Sequence, residues 1–320
     1  MIDIGGLSAP GRPSAIDAIA REITAACRDT GFFYIAGHGV RPDLINGMFE
    51  ANRIFHALPL KEKLPLKLNA WHRGYQPMGS TRLQSSARFA PASSANQLES
   101  FIVRDEVAEN DPAFQVAPFM GPNRWPDDAD FRAAVEGYYA AVRGLANALL
   151  PVFATAVGED ANYFGSFFNP AATTLRLVHY PPTPEDRSPD HIGIHPHTDY
   201  GFFTILAQDD VGGLEIMRVD GSWVEAPYIE GAFVMNIGDA MARWTNDAFN
   251  SSPHRVINKS TTRDRYSAAL FFDPSHDAPI RCLDRFASDA GGVKHPPIRF
   301  GDYYRERMDT NHPDRLAAGS

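Results

Sequence analysis

The sequence is poor in cysteine, in long apolar runs and in clustered positive charge, and each shortage argues against a class of protein. Two cysteines, Cys27 and Cys282, occur in 320 residues, so a disulfide-stabilised scaffold is not expected. A transmembrane helix needs about 20 predominantly apolar residues in succession, and no such run occurs. The first residues lack the basic and apolar segments of a secretory signal, so we expect a cytoplasmic protein.

The charge balance argues against nucleic acid and membrane as partners. The chain has 30 basic and 39 acidic residues, a formal net charge of −9, and its basic residues form no block. Nucleic acids and anionic membranes are bound through concentrated positive charge, so we expect neither. A small-molecule partner remains compatible, because a local basic pocket can lie inside an acidic protein. We expect a monomer or a weak homo-oligomer.

The hydrophobic fraction of 44% suits a globular protein with a core, and its pattern changes along the chain. The N-terminal part mixes helix and strand: apolar residues recur at helical spacing over residues 14–28 and 42–57, with a strand at 31–35 between them. The longest helical pattern covers residues 131–157. From residue 173 onward, short apolar runs alternate with turn signals such as Asp220-Gly221, which is typical of a sandwich or a double-sheet jelly roll.

We therefore predict a mainly β fold with flanking helices. The predicted regions are a mixed α/β N-terminal region over residues 1–120, a long helix and linker over 121–172, a β-core over 173–305 and a C-terminal tail over 306–320.

One short segment, His195-Pro-His-Thr-Asp199, carries residue types that bind metal ions. In an extended segment, residues two apart project to the same side, so His197 and Asp199 can reach one ion. The best third ligand is His254, because it begins a predicted strand that can cross the sheet and face the pair. Two imidazoles and one carboxylate leave coordination positions open, as O2 activation at Fe(II) requires. The sequence predicts a catalytic Fe(II) site at these three residues.

The residues alone leave two alternatives open, one for a ligand and one for the metal. His195 could replace His197, although Pro196 follows it and its spacing to Asp199 is less suitable. Zinc-dependent hydrolysis also uses two histidines and a carboxylate, but such enzymes usually carry a helical H-E-x-x-H motif, which this sequence lacks.

A second set of residues follows the third ligand and suits a dicarboxylate. Arg265 and Ser267 share one side of a predicted strand, and a guanidinium fork with a hydroxyl can bind a carboxylate. Tyr180, at the end of another predicted strand, could add a phenol hydrogen bond. These residues suit the far carboxylate of 2-oxoglutarate, whose keto-acid end would chelate the iron.

Seven short sequence motifs follow one another along the chain. They are Gly31-Phe-Phe-Tyr-Ile-Ala-Gly-His-Gly-Val40, His179-Tyr-Pro-Pro182, His197-Thr-Asp-Tyr-Gly201, Gln208-Asp-Asp-Val-Gly-Gly-Leu214, Asn236-Ile-Gly-Asp239, Thr245-Asn246, and His254-Arg-Val256 followed by Arg265-Tyr-Ser267. Together they resemble the isopenicillin N synthase-like branch of the iron(II)/2-oxoglutarate dioxygenases, over residues 1–305.

The resemblance implies a distorted double-stranded β-helix, a cupin-like jelly roll that holds iron at its mouth. It implies Fe(II), 2-oxoglutarate and O2, with ascorbate supportive in vitro. It implies that an unactivated C–H bond of a small-molecule metabolite is hydroxylated or desaturated, with succinate and CO2 as co-products. It implies His197, Asp199 and His254 as ligands, and Arg265, Ser267 and Tyr180 at 2-oxoglutarate.

Two other functions remain alternatives. One is an iron oxidase or cyclase of the same fold that uses no 2-oxoglutarate, in which Arg265 and Ser267 would hold a substrate carboxylate. The other is a metal-free binding protein. Asp239 and Asn246 are candidates to support the metal ligands or the local structure without binding the metal themselves. Candidate substrate residues are Tyr75, Arg82, Phe89, Phe101, Leu206 and Phe272.

Overall fold

Two β-sheets that face each other form the centre of the molecule, and helices cover the larger sheet. The computed structural model describes residues 1–8, 12–82, 89–112, 114, 119–188, 190–289 and 291–311. Its helices are α1 (Arg12–Asp29), α2 (Pro42–Ala57), α3 (Leu60–Lys63), α4 (Ala129–Ala156), α5 (Asp239–Trp244), α6 (Asp284–Asp289) and α7 (Phe300–Asn311). Within the described residues, every helix is too short or too polar to span a lipid bilayer.

The strands come from both ends of the chain. They are β1 (Ile2–Asp3), β2 (Phe32–Ala36), β3 (Gly74–Gln76), β4 (Glu99–Arg104), β5 (Ala172–Tyr180), β6 (Ile194–His197), β7 (Phe203–Gln208), β8 (Leu214–Met217), β9 (Trp223–Glu225), β10 (Phe233–Ile237), β11 (His254–Val256), β12 (Arg265–Asp273), β13 (Pro279–Ile280) and β14 (Ile298–Arg299).

The described strands form one large and one small sheet, with β13 and β14 paired separately. The large sheet has the order β1-β2-β10-β7-β12-β5-β4-β3, and the small sheet has the order β6-β11-β8-β9. Strands of the N-terminal region thus extend the sheet built by the C-terminal region on both sides. These two sheets confirm the predicted fold class, mainly β with flanking helices.

Two hydrophobic clusters lie on opposite faces of the large sheet. The first, here called the helix-side core, contains residues of α1, α2 and α4 packed on the sheet, such as Phe55, Phe153 and Leu270. The second, the inter-sheet core, joins residues of both sheets, such as Val178 on β5 and Ile216 on β8. The large sheet is therefore buried on both faces in its centre.

Alternation along the central strands decides which face each side chain occupies. On β12, Leu270 and Phe272 belong to the helix-side core, whereas Phe271 and Asp273 point to the other face. Successive side chains of a strand always divide in this way. The same division on β4 and β5 puts Arg104 and Arg176 on the face toward the small sheet.

The long helices and the β-core strands lie where the sequence predicts them. The second helix spans Pro42–Ala57, as its proline start and apolar spacing indicate. The longest helix, Ala129–Ala156, begins at the cap Asp128, whose carboxylate accepts hydrogen bonds from two backbone amides. The C-terminal helix spans Phe300–Asn311, and residues 312–320 lie outside the described residues.

A candidate metal centre and its cavity

Three side chains meet where the small sheet borders the large one. His197 ends β6 and His254 begins β11, and the two residues pair directly across these antiparallel strands. Asp199 follows β6 by two residues. Its Oδ1 lies 3.7 Å from His254 Nε2 and 4.0 Å from His197 Nε2, and the three ligand atoms lie within 4.8 Å of one another.

These distances fit a single first-row metal ion. Such ions bind nitrogen and oxygen at about 2.0–2.2 Å, so two ligands of one ion can be up to about 4.2 Å apart. Both distances from Asp199 Oδ1 lie within that limit, and small movements of the imidazoles close the remaining gap. The donor set of two imidazoles and one carboxylate is the set that non-haem Fe(II) oxygenases use.

The backbone orients both imidazoles for metal binding. His197 Nδ1 donates to the carbonyl of His195 at 2.8 Å, and His254 Nδ1 donates to the carbonyl of Ser252 at 3.3 Å. Because a carbonyl accepts only, these bonds fix the tautomer and leave Nε2 free for the ion. Burial and the neighbouring His254 lower the pKa of His197 to about 4, so its imidazole is neutral at physiological pH.

Asp199 is held by one of its oxygens and offers the other. Its Oδ2 accepts hydrogen bonds of 2.6 Å from Asn236 Nδ2 and 2.6 Å from Thr204 Oγ1. Burial opposes ionisation of Asp199, but the adjacent histidines and these two bonds outweigh it and hold its pKa below the ordinary value. The carboxylate therefore presents Oδ1 to the histidines in a fixed direction.

Sequence reasoning missed Asn236 and Thr204 as supports of Asp199. They are direct partners on β10 and β7, which makes them neighbours on one face of the sheet. In the motif Asn236-Ile-Gly-Asp239, the sequence indicates Asp239 as a supporting group but does not indicate Asn236.

Asp239 and Asn246 have different surroundings. The backbone amide of Asp239 donates to the carbonyl of Asp199 at 2.8 Å, and its carboxylate accepts from Thr198, Ser251 and Tyr303. Asp239 thus anchors the segment that carries the ligands. The Asn246 amide donates to the carbonyls of Phe286 and Gly292 and contacts none of the three ligands. His195, the alternative ligand, instead bonds Asn96 through Nδ1 at 2.7 Å.

A cavity of about 150 Å³ lies beside the metal-binding cluster, and His197 and Asp199 form part of its wall. Arg82, Arg104 and Arg176 contribute guanidinium groups to the lining. Apolar surface comes from both sheets and from the C-terminal helix, through Ile102, Ile194, Phe271, Tyr304 and Met308.

Three of the predicted substrate residues lie on the wrong side of the large sheet to touch a molecule in this cavity. Tyr75, Phe101 and Phe272 are fully buried in the helix-side core. Phe101 and Phe272 lie in continuous apolar runs, so period-two alternation could not assign their faces. The side chains that line the cavity are those of the adjacent residues, Gln76, Ile102 and Phe271.

The other three predicted substrate residues have separate locations. Arg82 lines the cavity. Leu206 points between the sheets and packs against the inter-sheet core. The ring of Phe89 lies 6.4 Å from that of Trp223 and is not part of the cavity wall.

Arg265, Ser267 and Tyr180 lie together between the two sheets. Arg265 is fully buried, and its guanidinium donates to the carbonyl of Gly212, to Ser267 Oγ at 3.4 Å and to Gln208 Oε1 at 3.3 Å. It also lies 4.8 Å from the ring centroid of Tyr180. No carboxylate of the described residues forms an ion pair with it. A buried cation with neutral partners is well suited to receive an anion.

Comparison with known proteins identifies the family. Residues 171–274 match the 2OG-Fe(II) oxygenase superfamily, and residues 1–128 match the N-terminal family described as non-haem dioxygenase in morphine synthesis. The 2-oxoglutarate-Fe(II) type oxidoreductase hxnY of Emericella nidulans is 34% identical over 297 residues, which cover 90% of this chain and 83% of that protein. The 2-oxoglutarate-dependent dioxygenase citB of Monascus ruber is 37% identical over 299 residues, covering 89% and 87%.

Among solved structures, a full-length Neurospora crassa protein in complex with alpha-KG and thymine is similar over the whole chain. It has a TM-score of 0.81 and 27% identity, covering 100% of this chain and 96% of that one. Because these relatives cover nearly the whole chain, the two facing sheets belong to the jelly-roll architecture of these enzymes. The chain belongs to the 2-oxoglutarate-Fe(II) oxygenase superfamily, and is an enzyme that uses Fe(II), 2-oxoglutarate and O2 to oxidise a small molecule.

Proposed function

We propose that His197, Asp199 and His254 hold the Fe(II), and that the enzyme hydroxylates or desaturates an unactivated C–H bond with release of succinate and CO2. The observation that carries the proposal is the convergence of Asp199 Oδ1 and two imidazole Nε2 atoms beside a cavity. Bound there, Fe(II) with 2-oxoglutarate supplies the O2-activating and oxidising chemistry.

The protein's own residues set the coordination geometry. The three ligands lie on one side, so the remaining positions stay open to 2-oxoglutarate and O2. Asn236 and Thr204 occupy Asp199 Oδ2, which favours binding through Oδ1 alone and keeps a further position free. The cavity wall brings a substrate next to these open positions and excludes bulk water from them.

Arg265 and Ser267 bind the distal carboxylate of 2-oxoglutarate in this proposal. The support is a buried guanidinium that has neutral partners and, among the described residues, no carboxylate within ion-pair distance. An unpaired buried cation is costly, and an arriving carboxylate that accepts its hydrogen bonds removes that cost. The ring of Tyr180 packs against the guanidinium, and its phenol group remains the proposed hydrogen-bond donor to the same carboxylate.

Four further properties stay proposals based on the sequence. They are a cytoplasmic location, a monomeric or weakly homo-oligomeric state, the absence of nucleic acid and membrane partners, and the division of the chain near residues 120, 172 and 305. Size-exclusion chromatography with light scattering tests the oligomeric state directly.

Turnover of 2-oxoglutarate tests the reaction. The purified protein is incubated with Fe(II), ascorbate, O2 and 2-oxoglutarate, with and without candidate small molecules, and succinate is measured. We expect succinate, a visible absorbance band when 2-oxoglutarate is added to the Fe(II) protein without O2, and products that gain one oxygen or lose two hydrogens. Absence of both succinate and the band would contradict the proposal. A product formed without consumption of 2-oxoglutarate would instead support the oxidase alternative.

The co-substrate site is tested by Arg265→Ala with Arg263→Ala as its matched control. Arg263 lies two residues away but is exposed and paired with Asp210. Loss of a charge-assisted carboxylate contact should raise the KM for 2-oxoglutarate by about 10- to 100-fold. Iron content, measured by metal analysis, should stay near that of the wild type, and the control should match the wild type in both. An equal loss of iron in Arg265→Ala would show that this residue supports the metal site instead.

A further inference from the structure

Arg176 is another arginine inside the protein that forms no ion pair with a carboxylate in the part of the chain that the structure describes. It lies on β5, and its side chain contributes to the wall of the cavity. Its Nε donates to Ser100 Oγ at 3.0 Å and its Nη2 donates to Gln76 Oε1 at 2.6 Å. Both partners are neutral, so they fix the direction of the guanidinium without compensating its charge.

The environment of Arg176 disfavours an unpaired charge. Burial lowers the pKa of its guanidinium, which means that the surroundings stabilise the cation less than water does. None of the described acidic side chains forms an ion pair with Arg176. Ser100 and Gln76 hold one side of the guanidinium fork, so an anion in the cavity can approach its remaining N–H groups.

Arg104 adds a second cation to the same wall. It is nearly buried, donates to Tyr304 Oη at 2.6 Å, and lies 5.1 Å and 5.5 Å from the ring centroids of Phe119 and Tyr304. Its Nε is buried with no hydrogen-bond partner. Like Arg176, it is positioned by neutral groups, and an arriving acceptor would satisfy it.

Few negative charges on the cavity wall oppose these arginines. Asp199 is directed to the metal site. Asp273 also lines the cavity, but burial raises its pKa to about 7, so much of it is uncharged near neutral pH. The cavity is therefore positive where Arg176 and Arg104 meet it, although the whole chain has a net charge of −9.

Arg265 and Arg176 lie in different parts of the molecule. Arg265 lies between the sheets with Ser267 and Tyr180 and does not contribute to the cavity wall, whereas Arg176 does. If 2-oxoglutarate occupies Arg265, as proposed above, Arg176 remains for a second anion. A cavity of about 150 Å³ resembles in size the engineered ~150 Å³ cavity that takes up benzene.

Resting on the proposed function, we propose that the substrate is a small carboxylic acid, about the size of one ring, whose carboxylate is bound by Arg176 with assistance from Arg104. Its apolar body would lie against Ile102, Ile194 and Phe271, which line the same cavity. Arg176 is then the residue that determines specificity for acids over uncharged analogues.

Binding of matched acids and amides tests this assignment. The probes are benzoate, cyclohexanecarboxylate and hexanoate, each compared with its primary amide, which has nearly the same shape but no charge. Affinities are measured by isothermal titration calorimetry on the protein loaded with Fe(II) and 2-oxoglutarate in the absence of O2. We expect at least one acid to bind about 10- to 100-fold more tightly than its amide, since a charged hydrogen bond to a guanidinium is lost in the amide.

Variants of Arg176 test whether this residue causes the preference for acids over amides. Arg176→Gln should remove most of the acid-over-amide ratio, and Arg176→Lys should keep part of it, because an ammonium retains the charge without the fork. Arg132→Gln is the matched control: Arg132 is an exposed arginine of α4 paired with Glu136, and its loss should leave the ratio unchanged. Arg104→Gln, expected to lower the ratio less, keeps the test decisive if Arg176→Gln does not fold.

The outcomes separate this inference from the proposed function. If no acid binds more tightly than its amide, or if the ratio survives in both Arg176→Gln and Arg104→Gln, the inference is wrong even where 2-oxoglutarate is turned over. If Arg176→Gln weakens 2-oxoglutarate as strongly as it weakens the acid, Arg176 serves the co-substrate and the inference is again wrong. If acids are preferred but neither succinate nor the 2-oxoglutarate absorbance band forms, the proposed reaction fails while the acid site stands.

Discussion

The two faces of the large sheet are built from alternate residues of the same strands, yet they differ in composition and role. Toward the helices, β4, β5 and β12 present apolar side chains such as Phe101, Leu175 and Phe272. Toward the small sheet the same strands present Arg176, Ser267 and other polar groups. Because successive side chains point to opposite faces, moving a residue by one position exchanges these roles. One face stabilises the fold, and the other carries the proposed ligand-binding residues.

The strongest test of this division is Asp199→Ala, which removes the carboxylate from the metal-binding cluster. Fe(II) affinity should fall by more than the ~10–100-fold that is typical for loss of a group supporting a ligand, and succinate formation should be abolished. Metal analysis and a succinate assay measure the two effects. The free energy of unfolding of the metal-free protein should also fall, since the fold holds the pKa of Asp199 low and the substitution leaves Asn236 and Thr204 without their acceptor. A variant that retains activity would contradict the ligand assignment.

Adjacent phenylalanines on β12 separate the two faces more directly. Phe272→Ala should destabilise the protein by about 3–5 kcal/mol, because it leaves a cavity in the helix-side core. Phe271→Ala should cost clearly less, since Phe271 already borders a cavity, and should instead raise the KM for substrate. Urea unfolding and steady-state kinetics provide the measurements. Equal losses of stability in both variants would show that the faces are not divided as described.

Loss of a hydrogen bond that supports Asp199 should have an intermediate effect on metal affinity. Asn236→Ala removes one of two hydrogen bonds to Asp199 Oδ2, and loss of such a supporting group typically costs about 10- to 100-fold in metal affinity. Thr204→Val should act in the same direction, because it removes the other bond. Competition with a chelator gives the affinities. Unchanged affinity in both variants would mean that Asp199 is positioned by the backbone alone.

The smallest expected effect is a change in how the free energy of unfolding depends on pH when Asp273 is replaced. Burial raises its folded-state pKa to about 7, so this group's contribution to stability is largest at low pH and falls as pH rises toward 7. Asp273→Asn removes the titration, and between about pH 5.5 and about pH 8.5 the variant should therefore gain about 2 kcal/mol relative to the wild type. Urea unfolding at the two pH values measures the difference, and parallel changes in both proteins would contradict it.

Local patterns were sufficient to predict that His197 and Asp199 lie on one side of their segment, and to predict the long helices. His197 and Asp199 are two apart in an extended segment, which places them on one side whatever surrounds them. The helix Pro42–Ala57 combines a proline start with apolar spacing, and both signals act within a few residues. Strand faces in continuous apolar runs, such as residues 269–272, could not be predicted, because both sides of these strands are buried.

The sequence by itself determined which residues can bind iron and a carboxylate, because side-chain chemistry and period-two spacing are local properties. Only the tertiary structure decided that His254 pairs with His197 across two strands, that Asn236 and Thr204 meet at one oxygen of Asp199, and that Arg176 lies in the cavity wall without a carboxylate partner. Each of these contacts joins residues distant in sequence, and strand pairing and burial, which bring them together, are properties of the folded chain.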